Sequence, residues 1–255
     1  MHRGQVMTKI DMNYFYEELS KILVKLENEQ GENIVKAAQI CADTMMNDGV
    51  VHVFGSGHSV GVGFELRNRA GSLVPFHHIR TDDFVIKGYT TIEDFKNPND
   101  IFERRSGISQ KMYDMYNVQK NDAFIIISNS GINGLVIDMA LKAKEEGQKV
   151  IVMTSMQHTT AEPSRHPSGK KLYQLGDVVI DNCGPQGDAL IETGKLEKIC
   201  SISSITGAFI AQSLTTEICR IMEESNYEPP VLYAANVEGY QQHNQKLLKR
   251  YARCD

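Results

Sequence analysis

Apolar residues recur along the first fifty positions with the spacing of a helix. Leu19, Ile22, Leu23 and Leu26 form one stripe; Ile34, Ala38, Cys41 and Met45 form another at i, i+4, i+7 and i+11. Gly31 separates the stripes, so the pattern predicts two helices, the second ended by the turn residues Asn47-Asp48-Gly49. The rhythm then switches to short β-branched runs. Val50 to Phe54, Ser72 to Ile79, Ala123 to Ile127, Val150 to Met153 and Val178 to Ile180 read as strands. The Ala123 run is continuously apolar, as a strand covered on both faces requires. Helices are predicted at Ser59 to Ala70, Asn133 to Glu146 and Ser203 to Glu224, with Gly71 and Gly147 as stops and Pro229-Pro230 beyond the last.

Strands that alternate with helices build a parallel sheet with helices on both faces. The expected organisation is one domain: a helical lead-in over 1–48, an α/β core over 49–225 and a tail over 226–255. Right-handed crossovers place every strand C-terminus on one edge, where ligands bind. The stretch Arg80 to Lys120 is longer than a compact connection needs and reads as a lid or interface element, with a short helix at Ile108 to Tyr116. Arg104 or Arg105 is placed there to close over a ligand or to pair with Glu103 or Asp100.

Composition narrows the classes. With 41% apolar and 23% charged residues and a formal charge of -5, the chain is expected to be a globular cytoplasmic protein that does not track nucleic acid. No apolar run approaches the roughly 20 residues of a membrane span, and Met1 to Asn13 lacks a signal-peptide core. Cys41, Cys183, Cys200, Cys219 and Cys254 have neither disulfide-framework nor zinc spacing.

Chemistry concentrates after two strands. Gly55-Ser56-Gly57-His58-Ser59 joins the first strand to its helix with two hydroxyls, permissive glycines and helix N–H groups, a combination suited to an anion. The loop lacks the Lys-Ser/Thr of a P-loop and does not complete G-x-G-x-x-G, since Val60 stands where the third glycine belongs. Ser128-Asn129-Ser130-Gly131-Ile132-Asn133 repeats the arrangement after the buried strand, where Ser130 or Asn133 could also serve as an ordinary N-cap. Neither loop contains lysine or arginine, which favours a single phosphate monoester over a magnesium nucleotide.

G-x-G-x-S after one strand and S-x-S-G-x-N after a later one, followed by Gly147 to Ser155 (GQKVIVMTS), resemble the sugar-isomerase (SIS) domain family over residues 34–225. His52 to Gly71, Asp181 to Ala189 and Ala234 to Gly239 are similar to a bacterial SIS group labelled phosphoheptose isomerases. The resemblance implies a three-layer αβα sandwich with a mainly five-stranded parallel sheet of flavodoxin-like type, and assembly as a homodimer or homotetramer. It also implies a phosphorylated-sugar ligand held by Ser59, Ser128, Asn129, Ser130 and Asn133, with Ser56 and Ser155 as neighbours.

Aldose–ketose isomerisation needs a base, and some SIS isomerases carry a carboxylate on the helix that here holds Glu65; a salt bridge to Arg69 is the competing role. His58 is placed to open the sugar ring or to donate to phosphate. His77 and His78 are expected at the ligand edge but on opposite faces of their strand. Gln212 and Glu217 lie on the last helix, where such enzymes often place catalytic groups; Glu238 and His243 fall in the expected tail. Metal-using heptose isomerases add histidines to the first-loop helix and the last helix, which this sequence lacks, so the site is expected to need no metal and no cofactor. A phosphosugar isomerase leads. A sugar-acid phosphate etherase and a sugar-phosphate sensor acting on a partner protein remain the alternatives.

Overall fold

The computed structural model describes residues 10–194 and 197–252; Cys254 and most of the polar N-terminal stretch lie outside them. Helix α1 (Met12–Met46) opens the chain, capped by the Asp11 carboxylate, which accepts from Tyr14 N at 3.0 Å. The expected break at Gly31 does not occur: one helix of 35 residues runs through it. A mid-helix glycine costs about 1 kcal/mol, less than α1 recovers by burying Leu26, Ile34, Ala38, Cys41 and Met45 on both sides of it.

Strand β1 (Val51–Gly55) leads through a 3₁₀ turn (Gly57–Ser59) into α2 (Val60–Leu66). After β2 (Phe76–Ile79) come the short helices α3 (Asp83–Ile86), α4 (Ile92–Phe95) and α5 (Ser109–Asp114). The core continues with β3 (Ala123–Ile127), α6 (Gly134–Glu145), β4 (Lys149–Thr154), α7 (Met156–Ala161) and β5 (Val178–Asp181). An antiparallel hairpin of β6 (Ala189–Ile191) and β7 (Ile199–Ser201) precedes α8 (Ser203–Glu224), and α9 (Gln241–Arg250) follows.

The five main strands are parallel and ordered β2-β1-β3-β4-β5. Alternation along β3 divides the core. Ala123, Ile125 and Ile127 join the cluster containing α1 and α8, whereas Phe124 and Ile126 join the one containing α5 and α6. The result is the expected three-layer α/β architecture.

Two predicted elements are shorter than their patterns. Helix α2 stops at Leu66 and β2 starts only at Phe76, because the chain between them pairs with a distant partner. Gly71 N donates to Leu232 O (2.8 Å), Leu232 N to Ser72 O (2.8 Å) and Val74 N to Pro230 O (3.0 Å). The expected tail is also not free. Helix α9 docks through Asn244, whose side chain accepts from Tyr233 N and donates to Tyr233 O, both at 2.9 Å. His243 Nε2 donates to Val231 O (3.0 Å), and its ring stacks on Tyr233 with ring centroids 4.0 Å apart.

Among the described residues no helix is long and apolar enough to cross a membrane. Cys41, Cys183, Cys200 and Cys219 are free thiols; burial pushes the Cys183 thiol up to about 11.

Candidate functional site

Chain order reverses beside β1: the chain passes from β1 to β2 on one flank, then returns to β3 on the other. The loops leaving β1 and β3 therefore open a crevice at the sheet's C-terminal edge, the switch point where doubly wound proteins bind ligands. The crevice is a cleft of about 280 Å³, just below the roughly 300–1,000 Å³ of small-molecule sites.

Ser56, His58 and Ser59 line it from the first loop, and Ser128, Asn129, Ser130 and Asn133 from the second. Gly57 turns the first loop at φ +58°, a conformation that favours glycine. The second loop is braced from within. Ser128 Oγ accepts from Gly131 N (3.1 Å), and Asn129 Oδ1 accepts from Asn182 Nδ2 (2.9 Å). Asn133 occupies the N-cap position of α6 without making the side-chain cap bond. Its amide points elsewhere: Nδ2 donates to Glu103 Oε1 (3.2 Å), and Oδ1 accepts from Arg165 Nη1 (2.9 Å). A guanidinium thus reaches a loop that carries no cation of its own.

Glu65 and Ser155 are not brought into this cleft. Glu65 lies on α2, ion-paired with Arg69, with Gln212 Nε2 of α8 3.5 Å from its carboxylate. Ser155 is fully buried; its hydroxyl accepts from His158 N (3.1 Å) and donates to Gly184 O (2.7 Å). His77 and His78 face opposite ways, as alternation requires, but both are buried in the sheet layer rather than at the ligand edge. His77 lies edge-on to His52, and His78 packs against Phe64. Glu217 pairs with Arg220 at 2.8 Å.

The structure adds Glu103, His158, Asp188, Ser201, Ser203 and Ser204 to the lining. Asp188 acts as the cap of α8: its carboxylate accepts from Ile202 N (3.2 Å), Ser203 N (2.8 Å) and Ser203 Oγ (2.7 Å). Glu103 comes from the long Arg80 to Lys120 stretch. There Arg105 does not reach the cleft as a phosphate clamp. It clasps Asp94 (2.7 Å) and Asp100 (3.0 Å), and together with Thr90 holds the Asp94 carboxyl down at about 2. An acidic residue followed by two arginines carries the pattern of a solvated ion pair, so only the tertiary contact distinguishes Glu103.

The clasped segment lies directly on α6. A β carbon at Gly134 would stand 2.5 Å from Ser106 Oγ, 2.6 Å from Arg105 O and 2.7 Å from Arg104 O. Two of these are backbone atoms, which yield little. Gly134→Ala is therefore expected to cost about 1–3 kcal/mol. Urea unfolding checks this, and a variant as stable as the parent would mean that the segment does not sit so closely.

Fold and cleft together define a doubly wound α/β protein with two hydroxyl-rich loops at its switch point. Residues 14–155 match the model of the SIS domain, and the chain belongs to the SIS domain family. A UPF0309 protein of Halalkalibacterium halodurans is 36% identical over 92% of this chain and 95% of its own length. Another, of Listeria monocytogenes, is 35% identical over 93% and 96%. Among solved structures, the phosphoheptose isomerase from Francisella tularensis superposes with a TM-score of 0.54 at 19% identity, over 84% of this chain and all of that one. The phosphoheptose isomerase from Neisseria gonorrhoeae gives 0.53 at 17%, over 82% and 96%. These likenesses show the shared fold.

Proposed function

We propose that this protein binds a sugar phosphate in the switch-point cleft and interconverts its aldose and ketose forms. The observation that carries the reading is convergence: seven residues singled out in two separate loops line one cleft at the C-terminal edge of the sheet. In this reading Ser56, Ser59, Ser128 and Ser130 offer hydroxyls to the phosphate, and Asn129 and Asn133 offer amides. The unshared N–H groups of α6 add a partial positive charge. Ser155 supports the loops from beneath. His58 is the group for ring opening, since it lines the cleft and an imidazole can both give and take a proton. Family membership supports the ligand class, as do the phosphoheptose isomerases that share the fold. Assembly as a homodimer or homotetramer belongs to the same proposal, with sedimentation of the purified protein as its check.

Thermal unfolding against sugar 6-phosphates, sugar 7-phosphates and amino-sugar phosphates tests the binding step. A ligand at 100 times its Kd stabilises by about 2.7 kcal/mol, which for a chain of this size raises Tm by roughly 5–10 °C. Free sugars should leave Tm unchanged, and Ser128→Ala should weaken the best ligand about tenfold. If no phosphorylated sugar moves Tm, the reading fails.

A further inference from the structure

We propose that Glu103 is the general base of this cleft, the carboxylate that takes a proton from carbon and returns it. The inference rests on the phosphosugar reading above and adds the identity of the group that turns the ligand over.

Place comes first. Glu103 and Asp188 are the carboxylates that line the cleft. Asp188 is committed to the first turn of α8, which gives it three hydrogen bonds with at least one on each oxygen. Glu103 Oε1 accepts one hydrogen bond, from Asn133 Nδ2 at 3.2 Å. Its Oε2 leans over the first loop, 2.9 Å from where a β carbon of Gly57 would stand. The carboxylate thus spans the two loops proposed to hold the phosphate.

Charge and rigidity agree. Glu65, by contrast, is engaged in an ion pair with Arg69 and lies outside the cleft lining. Among the described residues no ion pair is formed by Glu103, so no cation occupies the oxygens that face the cleft. Both flanks of the residue are fixed. Phe102 is buried, with its ring 5.5 Å from Phe84 and 4.8 Å from Phe95, and Arg105 is held by Asp94 and Asp100. The backbone of Arg104 and Arg105 rests on Gly134. A base held in this way loses little freedom on reaction.

The step balances without any co-reactant. Glu103 removes the proton from C2 of the open-chain aldose, and the C–H electron pair forms the C1–C2 double bond. The C1 oxygen receives a proton, giving the enediol. The C2 hydroxyl then loses its proton as the new carbonyl forms, and Glu103 delivers its proton to C1. His58 and His158 line the same cleft and can relay the proton between the two oxygens.

The test uses fructose 6-phosphate, sedoheptulose 7-phosphate and glucosamine 6-phosphate in D₂O. Deuterium uptake at carbon is read by mass spectrometry, and binding is read separately as a Tm shift. The wild-type protein should exchange at least one of the three. Glu103→Gln should retain the Tm shift and lose exchange by about 100-fold or more, with kcat falling and KM little changed. Glu103→Asp should keep part of the rate. A merely structural role would weaken binding and exchange together. Exchange in Glu103→Gln within threefold of wild type overturns the proposal, and so does a wild-type protein that binds without exchanging. If none of the three compounds binds, the phosphosugar reading falls first and this inference with it. Should Glu103→Gln not fold, Glu103→Asp carries the test: the acid limb of its kcat/KM profile is expected to move, and an unmoved limb at an unchanged rate overturns the assignment.

Discussion

Replacing Asp122 by alanine is expected to lower the stability of this protein by about 3–5 kcal/mol, the range for breaking a buried, hydrogen-bonded charge. Asp122 precedes β3, and its side chain is fully buried. Its Oδ1 accepts from Val50 N at 2.9 Å, and its Oδ2 accepts from Gln119 N at 2.7 Å. The same Oδ2 lies 3.1 Å from His52 Nε2 in the middle of β1. One carboxylate thus joins the entries of the two strands whose exits carry the hydroxyl-rich loops. Alanine would leave these buried donors without their acceptor, each costing about 1–3 kcal/mol. Urea unfolding at neutral pH measures the loss. A loss below about 1 kcal/mol would mean that water or a rearranged backbone replaces the carboxylate, and that the bonds at this corner do not set the strand register.

The second large effect is a loss of stability in mild acid, traced to His78. This ring is 3% exposed in β2, packed edge-on against Phe64, with its Nε2 unpartnered. Burial, with help from Arg80 and Arg67, pulls its pKa down from 6.5 to about 4, against the opposing pull of Asp82 and Asp83. Between those values the unfolded chain binds a proton that the folded protein refuses. Stability is therefore full above pH 6.5 and declines as pH falls toward 4, by about 3 kcal/mol in all. Asp122 acts lower on the scale. Burial raises its pKa, but His52 and the N–H groups of Val50 and Gln119 outweigh that and hold it below the ordinary value. Its contribution is present above about pH 4 and fades only as pH falls further. Denaturant midpoints taken from pH 7 to 4 for the parent and for His78→Leu separate the two. The parent curve should slope through this window and the variant curve should flatten; equal slopes would assign the acid sensitivity to another group.

The two corners of the sheet show why parts of this molecule could be read early. A strand covered on both faces must be apolar throughout, so Ala123 to Ile127 was plain from its composition, and so were the Gly- and Ser-rich loops that follow β1 and β3. Seven of the nine residues named from those loops and their surroundings line one cleft, because each loop directly follows a strand whose end the topology places at the switch point. Ser155 follows a strand in the same way, yet it turns inward to Gly184 and caps α7. Position after a strand does not decide which way a hydroxyl points.

By itself the sequence determined whatever depends on neighbours a few residues apart: the helical and strand periods, the turn glycines, the parallel α/β order and the two hydroxyl-rich loops. Tertiary structure alone decided what depends on distant partners. Packing carried α1 straight through Gly31, pairing with residues 230–232 shortened α2 and β2, and Asn244 docked a helix whose polar sequence reads as tail. The same holds for charge. Glu65, Glu103 and Asp188 are alike as carboxylates in a sequence, but one faces Arg69, one caps α8 and one leans over Gly57. The physical reason is that a charged side chain obeys the same local pattern in solvent and in a cleft, and only the fold supplies or withholds the partner that fixes its chemistry.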